Sequence, residues 1–196
     1  MIKYVPSHLE TNTYFQNARM NIKNVKHTIA DLNFQSDKVV ICGRGATDHP
    51  DFQPRFSTPT TNIESELYVV VDHSPQYARF INKPGNYALS LIVNPELPKK
   101  IISVEGRIYW FSTEYLEYDI PKIRFERNSG IAAISLANYF HVKYVLLSGM
   151  TLDEQYREFF EGGKSVINEV ESRGTKVFTI HGNLTKKMTF VEWCQL

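Results

Sequence analysis

Lys38-Val39-Val40-Ile41-Cys42-Gly43-Arg44-Gly45-Ala46-Thr47 decides the fold. Five residues, four of them apolar, run without a polar alternation and stop at a glycine. A continuous run this short suits a strand buried on both faces, which is the habit of parallel sheets. Leu67 to Val71, Tyr87 to Val93, Tyr144 to Leu147 and Lys176 to Ile180 have the same character. Between them lie helical patterns: Ser129 to Phe140, with Ile131, Ile134, Leu136, Ala137 and Phe140, and Ser165 to Ser172, closed by Arg173-Gly174. Ahead of the first strand, residues 14 to 32 read as an amphipathic helix, with Ala18, Ile22, Val25, Ile29 and Leu32 at helical spacing.

Strands alternating with helices predict βαβ units, hence an α/β domain of three layers with a mostly parallel sheet, Rossmann-like in type. Residues 1–35 are expected as a helical segment packed on a single domain spanning 36–196. Tyr109-Trp110-Phe111 is a candidate strand, 114–119 a loop or short helix, and Pro50 to Pro59 a surface loop.

The 196 residues are 42% hydrophobic and 22% charged, enough for one core without a disulfide or metal staple. A formal charge of +1 offers no broad basic field, so nucleic acid is not indicated as a partner. Cys42 reads as a buried, reduced thiol, and Cys194 stands far from it with no CxxC pair. No stretch nears the roughly 20 apolar residues of a membrane span. No leader pattern opens the chain, so a cytoplasmic location is the expectation. The six histidines show no HExxH or HxH spacing, and no metal site is predicted. Oligomerisation is left open.

Four places could carry chemistry. Gly43 and Gly45, followed by Thr47, allow a tight turn after a buried strand and close approach of a ligand to backbone amides. Asp72 stands at the carboxyl end of the second run. There it could receive hydrogen bonds from a base or ribose, hold a metal, or simply form an Asx turn. Asn94, before Pro95, is biased toward an extended backbone that projects its amide beyond the sheet. Asn128, Ser129 and Gly130 open a helix, where a polar cap and a free N-terminus suit a phosphate or carboxylate. Gly162-Gly163-Lys164-Ser165 ends like a P-loop but has Glu158 where the first glycine belongs. His181 follows the last strand directly.

In this order, these pieces resemble a family that unites bacterial sialyltransferases, motility-accessory-factor proteins and archaeal hydroxymethylpterin pyrophosphokinase-like proteins. The most specific match runs from Asn128-Ser129-Gly130 through Ala132, Ala133 and Ala137 to Lys143–Gly149. Val39 to Thr47 is similar to the family's strand and G-x-G-P-S loop, and residues 36–184 are covered. The resemblance implies that Gly43, Gly45, Thr47, Asp72, Asn94, Asn128, Ser129 and Gly130 surround a nucleotide or nucleotide-sugar ligand. It also implies that Tyr156 stands for an active-site tyrosine. The chain departs from the family in reading Gly-Arg-Gly-Ala-Thr in the loop. Thr151 replaces an acidic residue, with Asp153 two places on, and residues 151–168 lack the family's histidine. Deprotonation of an acceptor would then fall to Asp153, Glu154 or His181.

Three functions follow as expectations. The first is a transferase using a nucleotide-activated donor, a glycosyltransferase with Asp153, Tyr156 and His181 as catalytic residues and no cofactor required. The second is a pyrophosphokinase-like enzyme using ATP and Mg, with Asp72, Asp153 and Asp48 or Asp51 near the metal. The third is a non-catalytic binding protein presenting the aromatics of residues 109–118 to a partner.

Overall fold

β1 (Lys38–Cys42) lies near the middle of a seven-stranded sheet, and the alternation of its side chains shows why the run had to be apolar throughout. Val39 and Ile41 point into the larger core, which includes Ile131, Ile134, Val166 and Val170. Val40 and Cys42 point the other way, into a smaller cluster with Leu146 and Trp193. Helices therefore cover both faces, and a polar residue on either side would be buried without water. The computed structural model describes residues 8–46, 54–150, 159–182 and 184–196.

The other strands are β2 (Arg55–Ser57), β3 (Leu67–Val70), β4 (Gly85–Ser90), β5 (Gly106–Phe111), β6 (Tyr144–Ser148) and β7 (Lys176–Thr179). Their order is β5-β4-β3-β2-β1-β6-β7, and every pairing is parallel. The protein thus has a three-layer α/β fold of Rossmann-like type. Its helices are α1 (His8–Asn21), α2 (Glu96–Ser103), α3 (Ser129–Tyr139), α4 (Phe160–Ser172) and α5 (Phe190–Gln195). No helix among the described residues is long and apolar enough to cross a membrane.

Several boundaries differ from the sequence reading. The first helix is His8–Asn21 rather than 14–32. Its buried positions are Tyr14, Asn17, Ala18 and Asn21, so two of four are polar and the apolar periodicity misleads. Asn17 donates to the Ile92 carbonyl, and Asn21 donates to those of Leu91 and Val93. Beyond Asn21 a 3-10 turn, Ile22–Asn24, gives way to extended backbone at Val25, and the Trp110 N–H donates to the His27 carbonyl beside β5. The stretch expected as a surface loop contains β2, which inserts between β1 and β3 and is buried at all three residues. The aromatics of 109–118 are packed against the core rather than displayed: Trp110 and Phe111 are buried, and Tyr109, Tyr115 and Tyr118 lean on the same cluster. Gly162 to Ser165 lies within α4, where helical bonding excludes a phosphate loop.

Candidate functional site

The strand order fixes where a crevice must open. From β1 the chain works outward through β2, β3, β4 and β5, then returns to lay β6 on the other side of β1. The connections after β1 and β6 leave in opposite directions, and ligands of open α/β sheets bind at such a switch point, beyond the carboxyl ends of the strands. A cleft of about 700 Å³ sits there. It is bordered by Gly43, Arg44 and Gly45 after β1, Thr58 and Thr60 after β2, Val71 and Asp72 after β3, and Gly149 and Met150 after β6. Arg127 to Gly130 at the start of α3, together with Tyr77, Arg79, Phe80 and Phe159, also border it.

Its glycine turn is tighter than a ligand loop requires for its own sake. The Gly43 N–H donates to the Ser148 carbonyl at 2.8 Å, and the Gly45 N–H donates to that of Gly149 at 3.2 Å. A Cβ on Gly43 would stand 2.7 Å from the Gly149 oxygen. These two amides clamp the ends of β1 and β6 together, so they are not open donors for a phosphate. The glycines shape the rim of the cleft by bringing two backbones into contact.

The open donors lie at α3. Asn128 caps the helix: its Oδ1 accepts from the Gly130 N–H at 2.9 Å and the Ile131 N–H at 3.2 Å. The Ser129 N–H has no acceptor among the described residues. Ser129 Oγ accepts from the Val71 N–H at 3.2 Å, which ties the helix start to the end of β3. Just ahead of the cap, Glu126 and Arg127 both adopt left-handed backbone, at φ +43° and +58°. Two consecutive non-glycine residues in that region are strained. Their side chains go different ways. Glu126 goes into the interior, where Arg124 Nε donates to it at 2.6 Å, while Arg127 borders the cleft and pairs with Glu10 of α1 at 2.9 Å. Arg124 is also held by Glu169 at 2.8 Å and Ser165 at 3.1 Å, both on α4.

Arg44 and Arg79 border the cleft as well, are exposed, and make no ion pair with a described residue. Against these three guanidiniums the described lining offers one carboxylate, Asp72. Its Oδ1 accepts the Ser74 N–H at 2.8 Å in an Asx turn. That turn opens the short 3-10 helix Pro75–Phe80, which carries Tyr77 and Arg79. With Arg127 already paired to Glu10, Arg44 and Arg79 leave the described lining with an excess of positive charge, and Asp72 is its one carboxylate able to receive a ligand hydroxyl.

Of the residues singled out in the sequence, Gly43, Gly45, Asp72, Asn128, Ser129 and Gly130 meet at this cleft. Asn94 does not border it; its Oδ1 accepts the Glu96 N–H at 3.0 Å and leads the chain into α2. His181 is exposed and also stands apart from the lining, its carbonyl accepting a hydrogen bond from the Thr179 hydroxyl. Thr47, Asp153 and Tyr156 lie outside the described residues, as do Asp48, Asp51 and Glu154. Sequence reasoning passed over Tyr77, Arg79 and Arg127, and it quoted Arg44 without using it. Isolated residues in irregular segments carry no periodic signal, and only the topology brings positions 44, 79 and 127 to one place. The Ser74-Pro75 pair, a capping residue before a fixed φ, was the available hint of a helical turn after β3.

Comparison with protein-family models, with curated proteins and with solved structures finds no match.

Proposed function

We propose that the cleft holds the nucleotide of an activated donor and that the protein is a transferase, with a nucleotide sugar as its donor. The observation that carries this reading is the convergence of Arg44, Arg79 and Arg127 on the open start of α3 at the switch point of the sheet. Guanidiniums and a helix N-terminus together favour phosphate oxygens. Asp72 supplies what a pure anion site lacks, an acceptor for the hydroxyl of a ribose or sugar. Phosphate acceptors and hydroxyl donors occur together in a nucleotide.

In such a transfer the bond from the sugar's anomeric carbon to the phosphate oxygen breaks, and its electron pair stays on the departing phosphate. In this reading the arginines and the Ser129 N–H stabilise that growing charge, the larger part of catalysis in this kind of step. The acceptor hydroxyl forms the new bond and gives its proton to a base, for which Asp153 and Tyr156 are retained as proposals. Charge compensation by arginine supports binding without a metal; an ATP–magnesium enzyme needs carboxylates around the ion, and the described lining has Asp72 alone.

Thermal unfolding with CMP, CDP, UDP, GDP and ATP, each with and without magnesium, tests the reading. A nucleotide at a hundred times its Kd adds about 2.7 kcal/mol, or about 5–11 °C for a chain of this size. Stabilisation by a pyrimidine nucleotide without magnesium is expected. A shift confined to ATP with magnesium would favour pyrophosphoryl transfer, and no shift with any of the five would remove the nucleotide reading.

A further inference from the structure

Tyr77 is 7% exposed, borders the cleft, and its hydroxyl is buried with no hydrogen-bond partner among the described residues. Ser129 Oγ, which accepts the Val71 N–H, lies close enough to influence the phenol, but the two hydroxyls do not meet in hydrogen-bonding geometry. A buried hydroxyl left in this condition is uncommon, because removing it from water without a partner is costly. The ring itself is well placed: it packs edge-on against Phe80, with centroids 5.5 Å apart. Apolar packing therefore explains the ring and leaves the oxygen unexplained.

We infer that Tyr77 is a ligand-binding residue whose hydroxyl donates a hydrogen bond to a phosphate oxygen seated at the start of α3. This rests on the reading of the cleft as a phosphate site and assigns it a donor that the fold has left open. The direction of the bond follows from the surroundings. Burial, and then the neighbouring Asp72 carboxylate, push the phenol well above its ordinary pKa, so it keeps its proton at neutral pH. A protonated phenol and the Ser129 N–H, which has no acceptor among the described residues, are two donors that border the same cleft. Arg79, two residues further along the same 3-10 turn, adds a positive charge at the cleft wall. An anionic oxygen suits all three as an acceptor, whereas a neutral donor group of the ligand would find an acceptor only in the phenol oxygen and nothing for the Ser129 N–H or Arg79.

Tyr77→Phe removes the oxygen and keeps the ring. Two quantities are measured for it and the wild type: stability without ligand by urea denaturation, and affinity by calorimetry. The calorimetric probes are CMP, CDP, UDP, GDP and ATP, together with the nucleoside of whichever binds tightest. Unliganded stability is expected to be unchanged or higher, since an unsatisfied group has been deleted. Nucleotide affinity should fall about ten- to a hundredfold, the range for a hydrogen bond to a charged acceptor, with nucleoside affinity unaltered. Equal loss for nucleotide and nucleoside would place the contact on sugar or base and overturn the phosphate assignment. Unchanged nucleotide affinity in a wild type that does bind would overturn the inference alone. A fall in unliganded stability would mean that the hydroxyl serves the fold, and would overturn it as well. A wild type that binds none of the five nucleotides would sink the inference together with the reading beneath it.

Discussion

A methyl group on Gly149 would stand 1.8 Å from the Ala46 backbone nitrogen, and the residue's φ is +65°. Either fact alone would favour glycine; together they leave no alternative without moving the loop after β1. The obstacle is backbone, not the end of a flexible side chain, so it cannot rotate aside. Gly149→Ala is therefore expected to destabilise the protein by more than the roughly 1–2 kcal/mol of the left-handed conformation alone. Urea denaturation reads the loss. The same substitution should weaken nucleotide binding, because the Gly45–Gly149 contact forms one rim of the cleft. A stable variant with unaltered binding would show that the two strand ends can separate without consequence for the site.

At the scale of elements, α3 is the part that joins fold to site. Its core face, with Ile131, Ile134 and Leu136, is fixed by the sheet, while its first residues border the cleft. The strained turn at Glu126 and Arg127 needs an anchor, and Arg124 supplies it by bonding Glu126 and, across to α4, Glu169 and Ser165. Arg124→Met would leave Glu126 as a buried carboxylate without its guanidinium, a loss of about 3–5 kcal/mol where one partner of a buried pair is removed. Arg124→Lys should recover only part, since an ammonium cannot hold three groups in the plane of a fork. Nucleotide affinity should fall in the methionine variant too, as Arg127 loses its fixed direction; calorimetry beside denaturation separates the two effects. Much of this level was legible in the sequence. The five buried strands announced themselves as apolar runs, and the start of α3 as a cap. β2 was not legible, because three residues between Pro54 and Pro59 take their burial from β1 and β3 rather than from a pattern of their own. α2 was hidden by Pro98, which a helix tolerates in its first turn, where an N–H has no helical acceptor. Tyr77, Arg79 and Arg127 were hidden because their meeting is a product of the strand order.

Taken as a whole, the molecule raises the question of whether α1 is an attachment or part of the folding unit. Tyr14 and Ala18 belong to the main core, and Asn17 and Asn21 hold three carbonyls that follow β4. Glu10 reaches Arg127 at the cleft. These links run to β4 and to α3, elements far apart in sequence, so loosening α1 should loosen the sheet. The chain carries its own reporters: Trp110 is buried in β5 at one edge of the sheet, and Trp193 packs from α5 on Val40, Cys42 and Leu146 across the other face. Asn21→Ala withdraws a donor from the Leu91 and Val93 carbonyls and is expected to cost about 1–3 kcal/mol. If α1 is integral, single-tryptophan variants, Trp110→Phe and Trp193→Phe, will each show the alanine substitution lowering the urea midpoint by the same amount. Coincident transitions are the mark of one cooperative unit. A midpoint that falls at Trp110 while Trp193 stays put would instead divide the molecule, with α1 and the β4–β5 edge unfolding ahead of the strands that flank the cleft.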